Sequence, residues 1–132
     1  MMSSPADPGR RLFARTMPPI DRTMLALYAG GSNDHSPVHF DSDAARASGF
    51  DDVFAQGMCV MALLGRCLTD EIGPDRLKSY SARFVARTLL GDQLTCTATI
   101  EETRADGDFR VGLMFANQHG EVKLRGTAVI AK

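Results

Sequence analysis

The second half of the chain alternates apolar and polar residues in four segments, each separated from the next by a turn sequence. The segments are SYSARFVAR (79–87), LTCTATIEET (94–103), FRVGLMFA (109–116) and EVKLRGTAVI (121–130). A period of two residues is typical of β-strands that bury one face. The separators LLGDQ, ADGD and NQHG are rich in turn residues, and Asp106-Gly107 is a strong hairpin signal. We therefore expect four strands in an antiparallel meander with one apolar face.

One segment in the middle of the chain is apolar on nearly every side. It reads GMCVMALLGRCL (57–68), and Arg66 is its only charged residue. A helix with this pattern has to be enclosed rather than laid on a surface, and the predicted strands need an apolar cover for one face. The pattern thus predicts an α+β fold in which a curved antiparallel sheet wraps around a buried central helix.

The first half of the chain carries shorter signals. The segment RLFART (11–16) predicts a short strand. After two prolines, Asp21 predicts the start of a helix that continues to about Tyr28, with Met and Leu residues at helical spacing. We expect Gly30-Gly31 to end this helix.

A second, short helix follows, with Asp41 or Ser42 as its cap and Gly49 as its stop. Residues 1–9 are rich in Ser, Pro, Asp and Gly and are expected to be flexible. With 132 residues in all, the rest of the chain (10–132) is long enough to form a single domain with its own core.

Composition narrows the classes of function. Hydrophobic residues make up 44% and charged residues 23% of the chain, and the formal net charge is -1, so a nucleic-acid partner is not indicated. The three cysteines, Cys59, Cys67 and Cys96, lie in apolar segments without metal-type spacing. With no stretch near ~18 uninterrupted apolar residues, we expect a cytoplasmic protein that does not enter a membrane.

The stretch SNDHSPVHF (32–40) concentrates an aspartate and two histidines in nine positions. Turns also have this composition, because Asn, Asp and Ser bind their own backbone. His35 and His39 have the i,i+4 spacing of a metal pair, but Pro37 between them opposes a helix. A solvated turn and a catalytic loop therefore both remain open for this stretch.

A second feature is the glycine that opens the apolar helix, in FAQGM (54–58). The N-terminus of a helix presents unpaired N–H groups and the positive end of the helix dipole. Gly57 could thus stabilise a negative charge that develops on a carbonyl oxygen. The alternative is that it only lets two pieces of backbone approach closely.

The two motifs together resemble the MaoC-like dehydratases and (R)-specific enoyl-CoA hydratases. The similarity extends to ARFVARTLLGDQLT (82–95) and to the terminal NQHGEVKLRGTAVI (117–130), so it covers most of the chain. It implies the hot-dog fold, a curved sheet around one central helix. It also implies reversible hydration of a trans-2-enoyl thioester to a (3R)-hydroxyacyl thioester, on CoA or acyl carrier protein, in fatty acid metabolism.

In this resemblance, the family's catalytic aspartate corresponds to Asp34, its histidine to His39, and its oxygen-polarising N–H to Gly57. Asp34 and His39 would hold one water and move its protons, and Pro37 would stiffen the loop between them. No metal or redox cofactor is implied, and His35 is left without a role.

Further residues are expected to contact the substrate. Ser36 replaces an asparagine of the family pattern, and Gln56 replaces a histidine beside Gly57. Phe54 and Met58, with Met61, are candidates for the acyl pocket, although a place in the core is the simpler interpretation. Arg87 stands where a proline is expected.

The arginines that could bind CoA phosphates are Arg83, Arg87 and Arg104, unless they are merely solvated. The resemblance also implies a homodimer, with the acyl-thioester tunnel near its interface. Two other functions stay open, a non-catalytic acyl-thioester-binding or partner subunit of a heteromeric dehydratase and a hot-dog thioesterase.

Overall fold

The computed structural model describes residues 7–132, so residues 1–6 of the predicted flexible segment lie outside it. Five strands are present: β1 (Arg11–Thr16), β2 (Leu77–Phe84), β3 (Thr95–Thr103), β4 (Phe109–Ala116) and β5 (Val122–Ile130). Three α-helices, α1 (Arg22–Ser32), α2 (Ser42–Ala47) and α3 (Gly57–Ile72), all precede β2 in the chain. Short 3-10 turns occupy Pro37–His39 and Pro74–Arg76.

All strand pairs are antiparallel, in the spatial order β1-β3-β4-β5-β2. The expected strands are therefore confirmed, but the expected four-strand meander is wrong in one respect. Only β3, β4 and β5 follow one another directly, whereas β2 pairs with β5, with Tyr80 opposite Ala128. Because β2 has a single partner, it forms one edge of the sheet, and most of its residues are exposed.

Helix α3 lies on the apolar face of the sheet, as predicted. Its residues Leu64, Cys67 and Leu68 are buried in one core cluster with strand residues such as Phe115 and Leu124. The hydroxyl of Tyr80 on β2 donates a hydrogen bond to the carbonyl of Met61, at 2.8 Å. Burial raises the pKa of this phenol well above its usual value.

The helix is not enclosed on every side within a single chain. The side chain of Met58 is 58% exposed, and Leu27 on the neighbouring helix α1 is 72% exposed. The sheet covers one side of α3, while the opposite side is only partly covered by α1. The expectation of a fully enclosed helix thus fails for that side.

Helix α1 begins as predicted, since the Asp21 carboxylate accepts a hydrogen bond from the Met24 N–H at 2.8 Å. Its end differs from the prediction, because the helix continues through Gly30-Gly31 to Ser32. Glycine permits a helix to end but does not force it. The helix ends at Asn33, which takes the left-handed conformation with φ of 61°, a conformation that asparagine tolerates better than most residues.

The Asp52 carboxylate joins the segments in front of α3. It accepts hydrogen bonds from the Ser42 hydroxyl (2.6 Å), the Val53 N–H (2.8 Å) and the Arg22 guanidinium (2.7 Å). These bonds, led by the one from Ser42, lower the pKa of Asp52 to about 2. The start of α1, the start of α2 and the approach to α3 are therefore held at one point.

Among residues 7–132, no helix combines the length and the apolar character needed to cross a membrane.

Candidate active site

Asp34 lies in the loop between α1 and the 3-10 turn, and it is half-buried. Its carboxylate accepts a hydrogen bond from the Ser36 N–H at 3.3 Å, and its own N–H donates to the Ser32 hydroxyl at 3.2 Å. Burial raises the pKa of the Tyr28 phenol on α1, and electrostatic interactions with Cys59 and Asp34 raise it further. The Asp34 carboxylate thus lies in a short, internally bonded loop within electrostatic reach of α1.

His39 lies at the end of the Pro37–His39 turn and is half-buried. Its Nδ1 is 2.8 Å from the carbonyl oxygen of Phe54, and the Phe54 ring meets the imidazole edge-on with centroids 4.9 Å apart. A carbonyl only accepts, so Nδ1 carries the hydrogen, and in the neutral ring Nε2 keeps its lone pair. No residue between 7 and 132 hydrogen-bonds to Nε2, which is free to accept a proton from a bound water.

The bond from His39 to Phe54 brings the two sequence motifs together. Phe54 precedes Gly57 by three residues, and Gly57 is the first residue of the 16-residue helix α3. The Gly57 N–H has no hydrogen-bond partner among the described residues, and the first turn holds no acidic side chain. Unpaired N–H groups at a helix start favour an anion or a polarised oxygen.

A side chain at position 57 would press against Phe84. An added Cβ would lie 3.3 Å from two carbon atoms of the Phe84 ring. Gly57 therefore lets an aromatic side chain from the end of β2 approach the helix start. The approach of Phe84 fits the interpretation that this glycine allows close packing. The N–H without a partner fits the interpretation that the glycine stabilises negative charge on a carbonyl oxygen.

A cavity of about 400 Å³ lies at this point. Its lining comprises Phe54, Ala55, Gly57, Val60, Phe84, Val85, Ala86, Arg87, Thr88, Lys123 and Leu124. We call it the Gly57 cavity. No sequence motif pointed to Phe84, Val85 or Lys123 as part of this site. Period-two alternation placed Phe84 on the apolar inner face, yet its side chain is 51% exposed at the cavity.

Gln56 precedes the helix and is buried, with 1% of its surface exposed. Its side-chain N–H donates to the carbonyl of Leu25 on α1 at 3.0 Å, and its Oε1 has no partner among the described residues. Gln56 thus fixes the start of α3 against α1. Its predicted contact with the substrate stays a prediction.

Asp34 and His39 are not among the residues that line this cavity. Phe54 lines it, whereas the exposed Met58 does not. Ser36 is exposed and its hydroxyl does not cap the 3-10 turn, although its carbonyl accepts the His39 N–H at 3.2 Å. Its contribution to the loop therefore comes through the backbone.

Lys123 on β5 anchors the segment that forms one wall of the cavity. Its ammonium group is 2% exposed and donates to the carbonyl of Arg87 at 2.8 Å. It also pairs with the carboxylates of Asp92, at 3.3 Å, and Glu121. Asp92 in turn accepts the Leu89 N–H at 2.8 Å. The wall is thus held by a network of charges around a buried ammonium group.

Residues 3–118 match the family model of the MaoC like domain. The chain is 38% identical over 80 residues to a fatty acid synthase subunit beta of Aspergillus oryzae, covering 58% of this chain and 4% of that protein. It is 31% identical over 70 residues to a mitochondrial 3-hydroxyacyl-[acyl-carrier-protein] dehydratase of Arabidopsis thaliana, covering 53% of this chain and 42% of that protein. The chain therefore spans less than half the length of both relatives.

A relative of similar length is the (R)-specific enoyl-CoA hydratase of Rhodospirillum rubrum, which is 26% identical over 113 residues, covering 84% of this chain and 78% of that protein. Among solved structures, an unliganded R-hydratase of Pseudomonas aeruginosa superimposes with a TM-score of 0.84 at 28% identity. That superposition covers 94% of this chain and 80% of the other.

Proposed function

The chain belongs to the MaoC-like domain family, and on that premise we propose that it is a hydro-lyase. The reaction is the reversible hydration of a trans-2-enoyl thioester to a (3R)-hydroxyacyl thioester, carried on CoA or on acyl carrier protein. One observation carries the proposal: the hydrogen bond from His39 Nδ1 to the Phe54 carbonyl. It orients a base and joins the loop of Asp34 to the helix start at Gly57.

In the hydration direction, Asp34 and His39 hold one water between them. One of the pair takes a proton from the water as its oxygen forms a bond to C3, and the π electrons of the double bond move toward the thioester carbonyl. The enolate then takes a proton at C2 from the protonated pair, so one H and one OH have been added. Paired acid–base groups of this kind typically accelerate a reaction by about 10²–10⁴-fold each.

The Gly57 N–H donates to the thioester oxygen, on which negative charge develops during this step. The positive end of the α3 dipole and the absence of acidic residues in its first turn strengthen the interaction. One such donor typically contributes about 2.7–4 kcal/mol to the transition state. The Gly57 cavity opens beside this N–H and leaves room for the thioester.

A spectrophotometric assay tests the proposal. Purified protein is mixed with crotonyl-CoA, and the loss of the conjugated-enoyl absorbance is followed together with the release of free thiol. Hydration without thiol release is expected. Thiol release would favour a thioesterase instead, and no change with short or long enoyl chains would favour a non-catalytic binding subunit.

Asp34→Asn is the decisive variant, because Asn retains an oxygen that can accept the Ser36 N–H. We expect hydration to fall at least ~100-fold while the denaturation midpoint is unchanged. His35→Asn, at the exposed neighbouring position, is the matched control and is expected to retain activity. Full activity in Asp34→Asn would refute the assignment.

We also propose that the protein forms a homodimer and acts in the cytoplasm. The exposed Leu27 and Met58 side chains and the edge strand β2 offer apolar and hydrogen-bonding surface to a second copy. The three cysteines are unpaired, which fits a reducing compartment. Sedimentation equilibrium tests the dimer.

A further inference from the structure

Of the three arginines that the sequence offers as phosphate ligands, only one lines the Gly57 cavity. Arg83 lies on β2 directly opposite Arg125 of β5, in a separate depression on the sheet. Arg104 belongs to the turn between β3 and β4, where its carbonyl accepts the Gly107 N–H. Arg87 lies in the segment after β2 and lines the same cavity as Gly57.

Two aromatic rings hold the Arg87 side chain in place. The guanidinium carbon lies 4.7 Å from the ring centroid of Phe50 and 5.6 Å from that of Phe54, distances at which a cation is attracted to a ring face. The Lys123 ammonium holds the Arg87 backbone through its carbonyl. Phe54 also accepts the hydrogen bond from His39, so one residue contacts both the guanidinium and the proposed base.

The hydrogen-bond donors of this guanidinium are unused. Arg87 makes no side-chain hydrogen bond and no ion pair with any residue from 7 to 132, unlike Arg22 and Arg110, which pair with carboxylates. Arg87 therefore presents a planar, permanently charged fork, a geometry that suits a phosphate group.

The charges around the cavity favour an anion. The residues that line the Gly57 cavity include no acidic residue, and the only other cation, Lys123, is already paired with Asp92 and Glu121. A second cavity, which shares Phe54 and Arg87, does have acidic lining residues: Asp51, Asp52 and Glu121. An anionic ligand thus meets Arg87 without carboxylate repulsion only from the Gly57 side.

We propose that Arg87 binds a phosphate group of the thioester carrier, while the thioester itself lies at Gly57. This inference rests on the proposed function, because CoA and acyl carrier protein both present the thioester on a pantetheine arm that ends in a phosphate. The cavity between Gly57 and Arg87 would hold the arm. Arg87 is then a binding residue that distinguishes phosphorylated carriers from simple thioesters.

The test compares Arg87→Gln with Arg83→Gln, which removes an equivalent charge outside the cavity. Calorimetry with free CoA measures binding, and steady-state kinetics compare crotonyl-CoA, crotonyl-acyl carrier protein and crotonyl-pantetheine, which has no phosphate. For Arg87→Gln we expect CoA affinity to fall roughly tenfold. KM should rise by a similar factor for phosphorylated carriers only, and CoA binding should lose part of its salt dependence. Arg83→Gln should behave as the unmodified protein.

The outcomes separate this proposal from the proposed function. Equal effects of Arg87→Gln on crotonyl-pantetheine and crotonyl-CoA, or no effect on either, would overturn the phosphate assignment. A rise of KM for crotonyl-CoA alone assigns Arg87 to the nucleotide phosphates of CoA, and a rise for both carriers assigns it to the phosphate that they share. If the unmodified protein hydrates no thioester, the proposed function fails, and the CoA affinities of the two variants still decide the role of Arg87.

Discussion

Replacing Lys123 with methionine should strongly destabilise the protein. Methionine keeps most of the volume of the side chain but removes an ammonium group that is 2% exposed. At 3.3 Å from the Asp92 carboxylate, the gross Coulomb attraction at an effective dielectric constant of 20 is about 5 kcal/mol. The change leaves a mostly buried carboxylate without its counter-charge.

Breaking a buried pair from one side typically costs about 3–5 kcal/mol. Asp92 keeps hydrogen bonds from the Leu89 N–H and the Asn117 amide, so we expect Lys123→Met to lie near the lower end of this range, at about 3 kcal/mol. Urea denaturation, followed by circular dichroism with the m-value unchanged, measures the loss. Lys132→Met, at an exposed terminal lysine, is the control and should change stability by less than about 0.5 kcal/mol.

A double-mutant cycle shows whether the cost comes from the orphaned carboxylate. Asn at position 92 retains an acceptor for the Leu89 N–H but carries no charge. The loss in Lys123→Met/Asp92→Asn should therefore be smaller than the sum of the two single losses by at least about 1 kcal/mol. Additive losses, or a cost below about 1 kcal/mol for Lys123→Met, would refute the argument that this pair anchors the wall of the cavity.

Three further predictions concern the helix start, acid stability and the core. Gly57→Ala places a Cβ about 3.3 Å from the Phe84 ring, so kcat for crotonyl-CoA should fall. The double variant Gly57→Ala/Phe84→Leu should recover part of the lost kcat. A kcat unchanged by Gly57→Ala would contradict the close contact. The pKa of Asp52 is lowered to about 2, below the usual ~3.9 of an aspartate, so the ionised carboxylate stabilises the fold fully above about pH 4 and this stabilisation is lost toward pH 2. The free energy of unfolding of Asp52→Asn should therefore fall less steeply on acidification than that of the unmodified protein. An identical slope for the two proteins would argue against this role of Asp52. Asp108, whose pKa the Lys78 ammonium lowers, should account for part of the slope that remains. Leu64→Ala, at a fully buried position of α3, should cost about 3 kcal/mol in thermal or urea unfolding, and a loss below 1 kcal/mol would place this residue outside the core.

The sequence predicted those features of the fold that depend on local periodicity. The alternation in residues 94–130 predicted β3, β4 and β5, and the apolar run after Gly57 predicted the central helix. The pairing of β2 with β5 was not predictable in this way, since it joins residues that lie 40 to 53 positions apart in the chain. The end of α1 was also predicted wrongly, because two glycines weaken a helix but do not determine where it ends. The helix ends at Asn33, which takes the left-handed conformation.

The candidate site was predicted in part for the same reason. Asp34, His39 and Gly57 stand in motifs that can be recognised along the chain. The stacking of Arg87 on two rings and the burial of Lys123 arise only when β2, β5 and the segment before α3 come together. The sequence marked Arg87 as a departure from the family pattern and as one of three candidate phosphate ligands, but it could not separate Arg87 from Arg83 and Arg104. Nothing in the sequence around Lys123 indicated that its ammonium group is buried.

The hydrogen bond between His39 and the Phe54 carbonyl has a consequence for engineering this scaffold. The proton on the imidazole is positioned by a backbone atom of the second motif, so the two motifs form one structural unit of residues 32–57. A chimaera that receives the SNDHSPVHF stretch alone would inherit the side chains but leave the ring free to rotate and to change tautomer. Transplanting residues 32–57 together should preserve the orientation and the tautomer of the ring in a new host.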